Sequence, residues 1–295
     1  MKPKFKSTMM CVLGAVAVLV LMLILGCQQQ ITSNNQGSSQ PAFDRVINTK
    51  TIRVGYISYP PSLIKDPNSG NITGIFHDVL EEIGHRADLK IEFVEEETWG
   101  TMIEAVNSGR VDLICTGLWP NSTRAKFADF TDPIYFSPIK AYVKVGDKTF
   151  DNNLGKANDP ATKIATIDGE MTSIIASTDF PKASVDSLPQ STDVSQVLLE
   201  VAGGKAALTF VEPAVAGAFL DKNPDAVQEV SGVAPVRVFP NVMMVAKGET
   251  KLVSLLNTSL GELANTGFID QIIGKYEKTP GLFLRRALPY SLPQK

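Results

Sequence analysis

Cysteine and histidine are scarce: the 295 residues hold three Cys and two His. Cys115 stands alone inside a short apolar run and reads as a small buried residue. His77 and His85 fall on one helical pattern, with no Cys and no Asp/Glu spacing to support them, so no metal site is expected. No cofactor is expected either. Basic blocks are missing too. Lys and Arg total 28 against 31 Asp and Glu, and the net charge of −3 is spread along the chain. The electrostatic footprint of a nucleic-acid-binding domain is therefore excluded.

What is present begins with a targeting pattern. Lys2, Lys4 and Lys6 precede Thr8–Leu25, which is almost wholly apolar. That run is at the border of the ~20 residues a membrane-spanning helix needs. Ile24-Leu25-Gly26-Cys27 ends it and matches a bacterial lipobox. A small residue plus Cys favours processing over a permanent span. Residues 1–27 are thus expected to be a lipoprotein signal peptide, with Cys27 lipidated and anchoring the mature chain to the membrane. With Cys11 removed and Cys27 modified, no intrachain disulfide is expected. Residues 28–41, rich in Gln, Ser and Asn, read as a flexible tether.

The remainder exceeds the ~100–150 residues of a usual single core, which favours two lobes. Apolar periodicity alternates strand and helix. Strands are predicted at 51–55, 90–94 and 111–116, with helices at 74–86 and 100–107. Two extended segments, 139–145 and 236–246, flank a second set of strands and helices. Helices at 252–263 and 268–276 follow. The expected division is lobe 1 from 42–143 and 239–282, lobe 2 from 144–238, and a tail, 283–295, that the pattern does not place. The βαβαβ order implies mostly parallel sheets with flanking helices. Ligands bind such sheets at the carboxyl ends of the strands. Tyr56, Tyr59, Trp99 and Trp119 all fall near predicted strand ends or helix starts.

The most informative stretch is Gly109–Phe136. After the apolar strand, Gly117-Leu118-Trp119-Pro120 leads into Asn121-Ser122-Thr123, a helix N-cap pattern. Arg124 then falls in the first turn, where the helix dipole disfavours a cation by roughly 0.3–1 kcal/mol. An anion is expected beside it. Asp129 or Asp132 could supply one internally, and the sequence alone favours that. A ligand carboxylate, gripped by two parallel hydrogen bonds, is the alternative.

This stretch resembles the signature of the family 3 bacterial solute-binding proteins, Gly-Met-Thr-x-Thr-x-x-Arg followed by Asp-Phe-Ser-x-Pro-Tyr. Here it reads Gly117 to Arg124, then Asp129-Phe130-Thr131-Asp132-Pro133-Ile134-Tyr135. The resemblance runs from about Ile52 to Tyr276. It implies an α/β, type II periplasmic-binding-protein fold of two lobes joined by two hinge strands. It also implies capture of an amino acid or a related small amine or zwitterion for an ABC importer.

By that resemblance Arg124 holds a ligand carboxylate and Tyr59 stacks on the ligand. Trp99 forms a wall, and Thr116 and Gly117 touch the ligand's polar groups. Tyr56 stands where several relatives have Asp. Trp119 replaces a Ser or Thr. In the second lobe, Gly169, Met171 and Thr172 match a carboxylate-binding helix start. Glu170 there is a poor fit to an anion cradle. Glu212 stands where the family places the Asp that binds the ligand's ammonium. With the aromatics it could form a cage for a cation. The implied partners are ABC permease subunits and, through the lipid, a membrane; the implied location is the extracytoplasmic cell envelope, as a monomer. Two other readings are an enzyme similar to cyclohexadienyl dehydratase, using Glu212 or Glu170 as an acid, and a ligand-sensing module for a partner receptor.

Overall fold

The structure, a computed structural model, describes residues 40–286. The expected signal segment, Cys27 and nearly all of the tether lie outside them. The chain opens with α1 (Ala42–Thr49), which turns Val46 inward. Its exposed N-terminal amides, those of Ala42 and Phe43, donate to the Glu249 carboxylate at 2.8 and 3.3 Å. The dipole favours an anion there.

Next come β1 (Thr51–Tyr56), a small hairpin of β2 (Ile64–Lys65) and β3 (Ile72–Thr73), α2 (Ile75–Ala87), β4 (Lys90–Glu96), α3 (Met102–Asn107) and β5 (Leu113–Leu118). The apolar face predicted for the 74–86 helix is the one buried: Ile75, Phe76, Val79, Leu80 and Ile83 are inaccessible. β1 pairs parallel with β4 on one edge and β5 on the other. Every residue of β5 is buried, as expected of a central strand.

After β6 (Ala128–Phe130), the ten-residue β7 (Tyr135–Lys144) carries the chain out of this half. The second half holds β8 (Lys163–Ile167), α4 (Met171–Asp179), β9 (Ser184–Leu188), α5 (Ser195–Ala202), β10 (Leu208–Val211), α6 (Pro213–Leu220) and β11 (Val227–Glu229). β12 (Arg237–Ala246), also ten residues, brings the chain back. It is followed by α7 (Thr250–Asn265) and α8 (Phe268–Tyr276). The strand order is β4-β1-β5-β12-β7-β10-β8-β9. β7 and β12 pair antiparallel with each other from Tyr135↔Asn241 to Ile139↔Arg237. β12 also pairs with β5, and β7 with β10, so these two strands carry the sheet across both halves. The sheet is therefore mixed, parallel within each half and antiparallel where β7 and β12 cross between them.

Three apolar cores follow. One lies under α2, α7 and α8, and another packs α4 against β7, β8 and β10. The third joins the halves, uniting Tyr59, Trp99 and Met102 with Ile167, Val197 and Val211.

The C-terminal segment, unplaced by the sequence, pairs as β13 (Leu284–Arg285) with β7 at Phe136 and Tyr135. The neighbouring Phe283 is 2% exposed and packs edge-on against Tyr135 at 5.0 Å. Truncating a buried aromatic of this kind costs about 3–5 kcal/mol. Phe283→Ala should lower the denaturant midpoint accordingly. A change under about 1 kcal/mol would show that the segment does not brace β7.

Candidate functional site

The site is assembled where β5, β7 and β12 meet the start of α4. β5 ends at Leu118, and the chain turns through Trp119-Pro120. Asn121 then accepts the Arg124 N–H at its side-chain oxygen (2.9 Å) and the Ala125 N–H at its carbonyl (2.9 Å). The cap pattern is real, but it starts only a single 3₁₀ turn, Arg124–Lys126.

Arg124 is 6% exposed. One terminal guanidinium nitrogen donates to the Trp119 carbonyl at 2.8 Å. The other crosses to the second half and donates to the Gly169 carbonyl, also at 2.8 Å. Its guanidinium lies 5.9 Å from the centre of the Trp99 ring. Burial pushes its pKa down, and the nearby Glu170 carboxyl opposes that shift. The internal ion pair that the sequence favoured is not made. Asp129 instead accepts from Lys247 Nζ at 2.6 Å and the Gly248 amide at 2.7 Å. Asp132 faces Asn257 and Arg286.

Glu170 caps α4. Its Oε2 accepts the Thr172 amide at 2.7 Å and the Thr172 hydroxyl at 2.5 Å. The helix N-terminus matched to a ligand carboxylate is thus filled by the protein's own. Burial raises the Glu170 pKa, against the Thr172 hydrogen bonds and the Arg124 charge.

Glu212 precedes Pro213 at the start of α6 but does not cap it. It is 1% exposed, and neither carboxyl oxygen has a hydrogen-bond partner. The Ser137 hydroxyl and the Trp119 indole are near enough to favour its charge. Trp119 donates to Asn241 Oδ1 at 3.1 Å, and Asn241 Nδ2 donates to Ser137 at 2.7 Å. Burial pushes the Glu212 pKa up to about 7, with Glu170 adding to the rise and Ser137 and Trp119 opposing it.

Three rings enclose these charges. Tyr59 meets Trp99 edge-on at 5.8 Å and Trp119 edge-on at 6.3 Å. Trp119 stacks on Phe239 at 4.9 Å. Burial, with the charges of Glu212 and Glu170, raises the Tyr59 hydroxyl pKa well above its ordinary value. Tyr59, Trp99, Gly117, Trp119, Arg124, Glu170 and Met171 line a narrow, tightly filled cavity. A β-carbon on Gly117 would lie 2.5 Å from Ser62 Oγ and 2.9 Å from Asn241 Oδ1, so only glycine permits this approach. Across the Tyr59–Trp99 pair a recess of about 120 Å³ opens, with Glu96, Glu97 and Asp193 in its wall.

Of the residues matched to the family pattern, Tyr59, Trp99, Gly117, Trp119, Arg124 and Met171 line this cavity. Gly169 contributes its carbonyl to Arg124. Glu212 is not part of the lining and is buried close to Trp119 and Glu170, which are. Three further matched residues are placed elsewhere. Tyr56 lies within β1 and packs edge-on against Phe93 at 6.0 Å. Thr116 is fully buried and donates to the Ile57 carbonyl at 2.9 Å. Thr172 is held by Glu170 and accepts the Ile167 amide. Sequence reasoning passed over Asn241, Ser137 and Phe239. Asn241 had a signal: it is a polar residue opening the buried run Val242–Val245.

Two lobes crossed by two long strands, with an enclosed cleft between them, define the type II periplasmic-binding-protein fold. An ancestral amino acid-binding protein described as a precursor of cyclohexadienyl dehydratase superposes with a TM-score of 0.71 at 25% identity. It matches 81% of this chain and 100% of that one. A mutant of the arginine-binding protein ArgBP from T. maritima gives 0.68 at 25% identity, covering 80% and 98%. The model of the bacterial extracellular solute-binding proteins, family 3, matches residues 52–279, and the chain belongs to that family. A probable histidine-binding protein of Campylobacter jejuni is 26% identical over 87% of this chain and 94% of its own. The L-arginine-binding protein of Pseudomonas aeruginosa is 25% identical over 77% and 88%. No helix among the described residues is long and apolar enough to cross a membrane.

Glu212 makes stability depend on pH. Its folded pKa, about 7, lies above the ordinary 4.5, so the folded protein binds the extra proton between those values. The resulting stability is fully present below pH 4.5 and is lost as pH rises through about 7. The contribution is on the order of 3 kcal/mol. Thermal unfolding of the ligand-free protein should show this loss, and Glu212→Gln should remove that component. An unchanged pH profile in the variant would contradict the assignment.

Proposed function

We propose that this protein captures a small amine-bearing solute, such as an amino acid or a related amine or zwitterion, in the cleft, and delivers it to the permease of an ABC importer. Its working form is an extracytoplasmic monomer, anchored to the membrane through lipid on Cys27. The names of the relatives, histidine- and arginine-binding among them, support the solute class.

The observation that carries the reading is Glu212, a buried acid whose carboxyl oxygens have no hydrogen-bond partner and which lies close to Tyr59, Trp119 and Glu170 of the cavity lining. A buried charge is tolerated when an opposite one meets it. A ligand ammonium supplies that charge, and the faces of Tyr59, Trp99 and Trp119 add cation–π contact. Arg124 is the cavity's own cation and would face any carboxylate the ligand carries. Its link to the Gly169 carbonyl joins the two halves, so lobe closure and ligand capture share one side chain. Closure is then a shift between open and closed populations, driven by whatever binds the closed form better. Family membership supports binding rather than turnover.

Calorimetric titration with L-arginine, L-lysine and L-histidine tests the reading. A hydrogen bond to a charged group is worth about 1.5–3 kcal/mol, so Glu212→Gln should weaken the bound member by about 10- to 150-fold. Circular dichroism would check that the variant is folded. Unaltered affinity in a folded Glu212→Gln protein would sink the proposal.

A further inference from the structure

The arrangement of charge narrows the solute class, granted that the cleft is the capture site. We infer that the preferred solute is a small organic cation for which a carboxylate is dispensable. Four observations carry this. First, the N-terminus of α4, the natural seat for an anion, already holds the Glu170 carboxylate on the Thr172 amide and hydroxyl. A ligand carboxylate placed there would meet a like charge. Second, both terminal nitrogens of Arg124 are bound to main-chain carbonyls, of Trp119 and Gly169. The parallel two-bond grip on a carboxylate would require giving up at least one of them.

Third, Glu170 and Glu212 are both buried, and the Arg124 guanidinium is met by Glu170, which leaves Glu212 with no cation beside it. A net cation balances that set, whereas a zwitterion leaves one buried negative charge unmatched. Fourth, the recess across Tyr59 and Trp99 is itself acidic. Its lining holds Glu96, Glu97 and Asp193 and no basic side chain, while Glu96 pairs with Lys65 at 2.5 Å and Glu97 with Arg110 at 3.3 Å from outside that lining. A cation approaching through it moves from one set of acids to the next, with aromatic faces between.

Matched pairs that differ only in the α-carboxylate provide the test: L-arginine and agmatine, L-lysine and cadaverine, L-histidine and histamine. Each would be titrated into the full-length protein in detergent. The expected result is at least one amine that binds as tightly as its amino acid, or within tenfold of it. If amino acids bind and every amine is weaker than its partner by more than tenfold, this inference is overturned while amino-acid capture stands. If no member of any pair binds, both fall. Glu170→Gln provides a second reading. Removing the charge at the helix start should move the preference within the best-bound pair at least tenfold toward the amino acid. An unchanged ratio in the folded variant would also overturn the inference. Should that variant fail to fold, the paired titration still decides.

Discussion

A carboxyl group shut away from water and left without a hydrogen bond is the constraint on which the rest of this molecule turns. Glu212 is such a group. Isolated burial of an ionised carboxylate is so unfavourable that the group holds its proton or acquires a counter-charge. Everything around it preserves that choice. The Trp119 indole, one of the groups that favour its charge, gives its N–H to Asn241, and Asn241 in turn donates to Ser137. Pro213, which follows it, starts a helix that Glu212 does not cap. A fully satisfied Glu212 would be a structural residue. Left wanting, it is the group to which we assign the reception of positive charge.

The fold produces this position through two long strands. β7 supplies Ser137, and β12 supplies Asn241 and Phe239. The same strands pair with each other and carry the sheet from one half to the other. Site and hinge are therefore made of the same backbone. Tyr135 links the hinge to the ligand loop, since its hydroxyl meets Ser62 at 2.5 Å. Phe283, from the C-terminal segment, supports the Tyr135 ring from behind.

Much of this was legible before the structure. The helix over 75–87 announced itself through its apolar spacing, and the central strand through its unbroken apolar run. The two crossing strands could be inferred because extended segments bracket a second α/β set. Tyr59, Trp99 and Trp119 stood out near strand ends and helix starts, where loops converge, but their roles and that of Arg124 came from the family resemblance. Pairings were not legible. A hydroxyl in a strand, such as Thr116, reads the same whether it faces a ligand or a neighbouring carbonyl. Tyr56 sits one step inside its strand rather than beyond it, and the pleat sends it to the other face. Arg124 has two acids close by in sequence, yet both are claimed by residues more than 100 positions away. Glu170 looked like an obstruction in an anion site, and only its two bonds to Thr172 show it to be the occupant.

The account's central claim concerns the protonation of one carboxyl, and that can be observed directly. Carbon-13 NMR of the glutamate side-chain carboxyls, with Glu212 assigned from the Glu212→Gln spectrum, would follow its titration with and without a saturating cationic solute. The prediction is a midpoint near the value of about 7 in the free protein, falling to the ordinary carboxylate range or below once the cation is bound. A midpoint near the ordinary 4.5 in the free protein, unmoved by the solute, would contradict it.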